Sequence, residues 1–97
     1  MAKIYKTDGT KEDVFPKENG KFSLEEMQEI VGGLIEMIDL PSGMVMVLNE
    51  EGKLEGLDKN NVATEIWKRE FPIEDYPDNN DELVVGNVLL TDPEFIN

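Results

Sequence analysis

The sequence predicts an α+β domain: an antiparallel or mixed sheet of four to six strands with two helices packed on it. Short apolar runs bounded by turn residues occur near both ends of the chain and in its middle, and such runs are typical of strands. Two further segments carry apolar residues at helical spacing. Two helices are too few to separate every strand, as an all-parallel sheet would require. A chain of 97 residues buries roughly 60–65% of its unfolded surface, so we expect residues 1–97 to form one domain.

The first predicted element is a β-hairpin. Residues 3–7 alternate polar and apolar side chains, and a second short run ends at residues 14–15. Asp8 and Gly9 lie between the two runs, and Asp-Gly at such a position is typical of a type I′ turn, in which both residues have positive φ. We expect Pro16 to end the second strand, because proline cannot donate a hydrogen bond to the ladder.

The strongest local signal in the chain marks the start of a helix. Ser23 fits the N-cap position, and Glu26, three residues later, completes a capping box. Phe22 and Met27 occupy the two positions of a hydrophobic staple. The glycine pair at residues 32–33 should end the helix, and it is not a phosphate loop, since such loops precede a helix. The residues predicted to form the buried stripe are Leu24, Met27, Ile30 and Val31.

A central hairpin is predicted by two apolar runs, residues 34–40 and 44–48, on either side of residues 41–43. Proline at the second turn position and glycine at the fourth suit a type I turn. The run at residues 44–48 does not alternate, which implies burial on both faces of the sheet. One face would be covered by a helix and the other by a second layer or a partner subunit, and on this basis we expect a homodimer.

A second helix is predicted in the second half of the chain. Residues 53–57 form at most a weak strand. Asn60 or Asn61 is a suitable N-cap for a helix that ends near Glu70. Its buried face is predicted to carry Val62, Ala63, Ile66 and Trp67.

The C-terminal part of the chain is strongly acidic. Residues 70–82 contain six acids and no base, and we predict an acidic loop there. Residues 83–90 form a predicted final strand, bent or bulged at Gly86, and residues 92–97 form a tail. Residues 70–97 hold eight acids and no base, an asymmetry beyond what solubility requires. The composition therefore points to recognition of a basic partner.

The residue types exclude several classes of function. Because the chain has no Cys and no His, it has no disulfides, thiol or imidazole nucleophiles, Ser-His triads or zinc sites of the usual kinds. Catalysis would rest on carboxylates such as the adjacent Glu50 and Glu51 on an exposed turn, so we do not expect an enzyme. A calcium loop counted from Asp78 would have Leu83 and Leu89 at the positions that need Gly and Glu, so no metal site is expected. No cofactor is expected either.

The net charge of −13 creates a field that repels nucleic acid and anionic lipid and attracts basic proteins. The N-terminal segment lacks the apolar centre of a signal peptide, and no apolar run approaches the roughly 18 residues of a membrane span. We therefore expect no direct binding to nucleic acid, no membrane association and a cytoplasmic location.

Several segments of the chain resemble the motifs of a known family. They are LEEMQEIVGGLIE (24–36), NEEGKLEGL (49–57), NN followed by AT (60–64) and VGNVL (85–89). Their order is similar to that in a family of small phage and mobile-element domains catalogued only as a domain of unknown function. The resemblance covers most of residues 22–90 and leaves 71–80 and 92–97 unmatched. It implies no activity, but it implies an accessory protein inside a bacterial host, where phage proteins of this size often oppose host defence.

Two functions fit these observations. The first is an inhibitor whose acidic loop occupies the basic, nucleic-acid-binding groove of a host defence protein through electrostatic complementarity. The residues predicted to make this contact are Glu70, Glu74, Asp75, Asp78, Asp81 and Glu82.

The alternative is a binding module that sequesters a nucleotide immune signal in a pocket at a subunit interface. Polar side chains at the ends of elements can read a ribose or a base by hydrogen bonding, although they also serve as turn formers and caps. The residues predicted for this role are Asn49, Glu50, Asn61, Thr64 and Arg69. An anionic ligand would have to overcome the field of the protein, so the net charge favours the inhibitor.

Overall fold

The computed structural model describes residues 1–17, 19–71 and 84–96, which form a five-stranded antiparallel sheet with one helix on each face. The strands are β1 (Ala2–Tyr5), β2 (Lys11–Asp13), β3 (Ile35–Asp39), β4 (Val45–Asn49) and β5 (Val88–Thr91), and the helices are α1 (Leu24–Val31) and α2 (Asn61–Glu70). The strand order is β2-β1-β5-β4-β3, and all four pairings are antiparallel. The predicted α+β class is confirmed.

Strand β4 lies between β3 and β5 and separates two apolar layers. Val47 packs in the layer that holds Met27 of α1, whereas Met46 packs in the layer that holds Ala63 of α2. Neither Met46 nor Val47 has any exposed surface. The predicted burial on both faces is therefore confirmed for the centre of the run, and both faces are covered by helices of the same chain.

The homodimer stays a prediction, but its original basis is removed, because helices of the same chain cover both faces of β4. A dimer contact would have to lie elsewhere. Strand β3 ends the sheet, and its Met37 is 51% exposed. Pairing of two β3 edges would satisfy their backbone groups and cover this side chain. Light scattering should then give about twice the 11.0 kDa of one chain, and a mass near 11.0 kDa would contradict the dimer.

Helix α1 begins as the sequence predicts. Ser23 Oγ accepts a hydrogen bond from the Glu26 backbone N–H at 3.1 Å, and Glu26 Oε1 accepts one from the Ser23 N–H at 3.2 Å. Gly32 ends the helix at a φ of +82°, where glycine carries no steric penalty. The predicted burial of Leu24 is wrong, because Phe22 fills this end of the core and leaves Leu24 51% exposed.

Replacing Ser23 by Ala removes the side-chain acceptor of this cap, and we expect the free energy of unfolding to fall by about 1 kcal/mol. Denaturant unfolding measures the change. Ser42→Ala is a suitable control, because this exposed turn residue makes no side-chain hydrogen bond within the described ranges. An equal loss in both variants would show that the cap is not responsible.

The connection between β1 and β2 is a hairpin, but the predicted type I′ turn is wrong. A three-residue loop, residues 7–9, joins Lys6 to Thr10, and Gly9 has a φ of +90° while Asp8 has a negative φ. The Asp8 carboxylate accepts hydrogen bonds from Thr10 Oγ1 at 2.6 Å and from the Thr10 N–H at 2.9 Å. Both hydrogen bonds stabilise the charged carboxylate and so lower the pKa of Asp8. The bond from the Thr10 hydroxyl has the larger effect and the bond from the Thr10 N–H the smaller one. The stabilisation of the turn by the charged carboxylate is fully present above the ordinary carboxyl pKa. It is lost as the pH falls through the lowered pKa of Asp8 and the carboxylate becomes protonated.

Two predicted strands differ from the structure. Residues 53–56 form turns where the sequence predicts a weak strand over 53–57, and Glu55 N–H donates to Glu51 O at 2.9 Å. The final strand is shorter than predicted, because Gly86 has a φ of +76° and only residues from Val88 onward join the sheet. Val85 instead forms an isolated bridge with Lys59. Leu83, predicted to start this strand, lies outside the described residues.

Residues 92–96, the described part of the tail, belong to the folded domain. A short 3₁₀ turn, Pro93–Phe95, places the Phe95 ring edge-on to Phe22, with ring centroids 6.5 Å apart. Ile96 forms a parallel bridge with Phe22. The tail therefore helps to close the apolar layer beneath α1.

Candidate partner-binding surface

Helix α1 presents an acidic outer side. Glu25 and Glu29 are exposed and stand one turn apart, while Met27 and Val31 on the opposite side are buried. The helix contains no base, and neither Glu25 nor Glu29 forms an ion pair with a described residue. The outer side of α1 is thus an uncompensated negative surface.

A depression of about 580 Å³ lies between α1 and the turn at residues 50–56. Leu34, 53% exposed, provides its apolar part. Four glutamates surround it, and its lining residues are Glu25, Gln28, Glu29, Gly33, Leu34, Glu51 and Glu55. An apolar group of a partner could therefore enter a ring of carboxylates here.

Asn49 fixes the turn that carries two of these glutamates. Its Nδ2 donates to Glu55 Oε1 at 3.1 Å and to the Val31 carbonyl at 3.3 Å, and its Oδ1 accepts from the Glu51 N–H at 2.8 Å. A Cβ at residue 33 would lie 2.9 Å from Nδ2, so a larger residue there would displace the Asn49 amide from these hydrogen bonds. Asn49, predicted as a ligand-reading residue, uses both ends of its amide to join α1 to the turn.

A second depression, of about 410 Å³, lies on the other side of α1 against β2. Phe15 lines it and is 77% exposed. Glu29 lines this depression as well as the first, so the two are neighbours. Of its other acids, Glu12 is paired with Lys6 at 3.2 Å. The same depression is lined by one base, the exposed Lys17, and by Asp13, which is paired with Lys3. We call the combined surface the α1 face; its residues are Glu12, Asp13, Phe15, Lys17, Glu25, Glu26, Glu29, Leu34, Glu51 and Glu55.

The residues predicted to contact a basic partner fall mostly outside the described chain. Glu70 is half-buried at the end of α2, where its Oε1 accepts from the Ser42 N–H at 3.0 Å. The others, Glu74, Asp75, Asp78, Asp81 and Glu82, lie outside the described residues. The acids of α1 were not among the candidate contact residues predicted from the sequence. Their lack of any basic neighbour along the helix was the available signal.

The residues predicted for the nucleotide pocket are not gathered in one place. Thr64 is buried, and its Oγ1 accepts from the Val84 N–H at 3.1 Å. Asn61 is exposed at the first position of α2, and Glu50 is exposed on a turn. Arg69 lines a groove beside α2. The side chains of Asn49 and Thr64 are thus hydrogen-bonded to other residues of the chain. Arg69 lines a different cavity from the one that Asn49 lines.

Within residues 1–17, 19–71 and 84–96, no helix combines the length and apolar character needed to cross a membrane. The same ranges hold no group of three or more acidic side chains arranged to bind a metal ion.

Comparison with known proteins places the chain in a family. No curated protein and no solved structure matches it. One family model, described as a domain of unknown function, spans residues 2–95, from β1 to the 3₁₀ turn. This match includes residues 71–80 and 92–95, which the motif resemblance left unmatched. The chain therefore belongs to the Domain of unknown function (DUF3846) family.

Proposed function

We propose that this protein is a non-enzymatic accessory protein of a phage or mobile element. It binds a nucleic-acid-handling defence protein in the cytoplasm of the bacterial host and inhibits it. The α1 face makes the contact and occupies the basic groove that otherwise holds nucleic acid.

One observation carries the proposal: the exposed apolar residues Phe15 and Leu34 lie among glutamates on the α1 face. Single exposed apolar side chains are ordinary, but apolar groups in neighbouring depressions with a polar rim are typical of a binding surface. Buried apolar anchors supply most of the binding energy in protein complexes, and a polar rim supplies orientation.

The charge of the rim defines the kind of partner. Glu25, Glu29 and Glu51 have no cationic partner among the described residues. Their field adds to a net charge of −13, which accelerates association with a basic surface and repels nucleic acid. A groove lined by Lys and Arg that normally holds phosphates is complementary to such a rim.

Affinity capture followed by competition tests the proposal. The immobilised protein should retain a nucleic-acid-binding protein from a bacterial lysate, and added duplex DNA should release it. A variant with Glu25→Gln, Glu29→Gln and Glu51→Gln should retain much less of that protein. Retention that DNA does not affect, or that the variant preserves, would contradict the proposal.

A matched control carries the same change of charge elsewhere. Asp39, Asp58 and Glu65 are exposed, lie outside the α1 face and make no side-chain hydrogen bond or ion pair within the described ranges. Asp39→Asn, Asp58→Asn and Glu65→Gln together should leave capture unchanged. Loss of capture in this control as well would show that total charge is decisive and the α1 face is not.

A further inference from the structure

A groove of about 600 Å³ runs between α2 and the β1–β2 hairpin, on the face of the sheet opposite α1. On this face α2 packs on Val88 and Leu90 of β5. The register pairs Tyr5 of β1 with both Val88 and Lys11 of β2, so Tyr5 and Lys11 point to the same face. The groove is thus bounded by α2 on one side and by the β1–β2 hairpin on the other.

The floor of the groove is apolar and has one aromatic ring. Val62 and Ile66 of α2 contribute from one side, at a spacing of four residues that aligns them on the helix. Leu90 contributes from the sheet, and half-buried Tyr5 contributes from β1. Such a floor suits a flat, partly apolar ring, and the volume lies within the range of about 300–1,000 Å³ of ligand pockets.

Two cations stand at this groove without a carboxylate partner among the described residues. Lys11 forms no ion pair there, whereas Lys3 is bound to Asp13 at 3.2 Å and Lys6 to Glu12. Within residues 1–17, 19–71 and 84–96, Arg69 makes only a long hydrogen bond, from Nε to the Glu65 carbonyl at 3.5 Å. The acid that lines the groove, Glu70, accepts from the Ser42 N–H. The chain has 22 acids and 9 bases, so most bases would be expected to have an acid nearby. Two cations at one cavity that form no ion pair with a described residue are therefore unusual in this protein.

We propose that this groove binds a small organic anion consisting of a phosphate group on a flat ring, such as a nucleoside monophosphate. Lys11 and Arg69 hold the phosphate, with the guanidinium able to bind two of its oxygens at once. The ring lies on Tyr5 and the apolar floor. This site does not depend on the proposed function, because it lies on the other side of the sheet from the α1 face.

Titration of the labelled protein, followed by amide NMR, tests the site with three probes: AMP, adenosine and inorganic phosphate. AMP should shift the amide signals of Gly9, Lys11 and Arg69 in a saturable way and leave those of Glu25 and Glu29 unchanged. Adenosine lacks the charge and inorganic phosphate lacks the ring, so each should bind at least about tenfold more weakly than AMP.

Three substitutions that each remove one positive charge complete the test. Lys11→Gln and Arg69→Gln should each weaken AMP binding about tenfold. Lys53→Gln, on the exposed turn at residues 50–56, should leave it unchanged. The NMR spectra also report whether each variant is folded. The proposal is overturned by the absence of saturable AMP shifts, by shifts located away from the groove, or by equal affinities in the three variants. Equal binding of AMP and inorganic phosphate would overturn the role of the ring.

Discussion

Replacing Glu25, Glu29 and Glu51 together by Gln should weaken binding to the captured partner about 10- to 100-fold at low salt. Each exposed ion pair contributes about 0.2–1 kcal/mol, so three of them correspond to about 3- to 150-fold, and the expected loss lies within that range. The loss should appear in the association rate as well as in the affinity, because these side chains steer the encounter. Surface plasmon resonance at several salt concentrations measures both quantities.

The salt dependence provides the control. Binding of the unmodified protein should weaken as salt rises, while the triple variant should respond less, because fewer charges remain to be screened. The variant with Asp39→Asn, Asp58→Asn and Glu65→Gln should behave like the unmodified protein. A triple variant that binds with unchanged affinity and an unchanged salt dependence would exclude a contact through these glutamates.

Replacing Asn60 by Ala should lower the free energy of unfolding by about 2–4 kcal/mol. Asn60 is fully buried, and its Oδ1 caps α2 by accepting from the Ala63 N–H at 3.0 Å. Its Nδ2 donates to the carbonyls of Tyr5 and Gly86, both at 2.9 Å. Loss of the cap should lower the free energy of unfolding by about 1 kcal/mol. Each of the two buried carbonyls that loses its donor should lower it by about 1 kcal/mol more. Denaturant unfolding measures the change, which is a large part of the total stability of a domain of this size.

Asn61→Ala is the matched control for this variant. Asn61 is the exposed first residue of α2, and alanine is the better helix former, so the change should be within a few tenths of a kcal/mol. Equal effects of the two substitutions would contradict the role of Asn60. The pair also tests the predicted nucleotide contact of Asn61, since AMP binding by a folded Asn61→Ala variant should match that of the unmodified protein.

Local signals in the sequence predict local structure well. The capping box at Ser23 and the N-cap at Asn60 depend on residues three positions away, and the structure contains both. The Asp-Gly hairpin depends on more than its two residues, because the same pair fits a two-residue loop or the end of a three-residue loop. Strand β1 of this hairpin also pairs with β5, at the far end of the chain, and this pairing helps to fix the position of the hairpin. A local motif does not contain that information.

Polar residues at the ends of elements are ambiguous for a physical reason. A buried Asn or Thr that binds the backbone has the same sequence signature as one that awaits a ligand, and only burial and partners distinguish them. Asn49 and Thr64 are buried and bonded within the fold. The acids of α1 had a signal in the sequence, but the full extent of the α1 face could not be predicted. It joins Glu25 and Glu29 to a turn and to β2, which are distant in sequence.

A hydrogen-exchange footprint of the complex with the captured partner tests the central claim most directly. The α1 face should be covered in the complex, so amides of α1 and of residues 50–56 should exchange more slowly than in the free protein. Amides of α2, on the opposite side of the sheet, should exchange at the same rate in both states. Protection confined to α2, with no change in α1 and the 50–56 turn, would contradict the account.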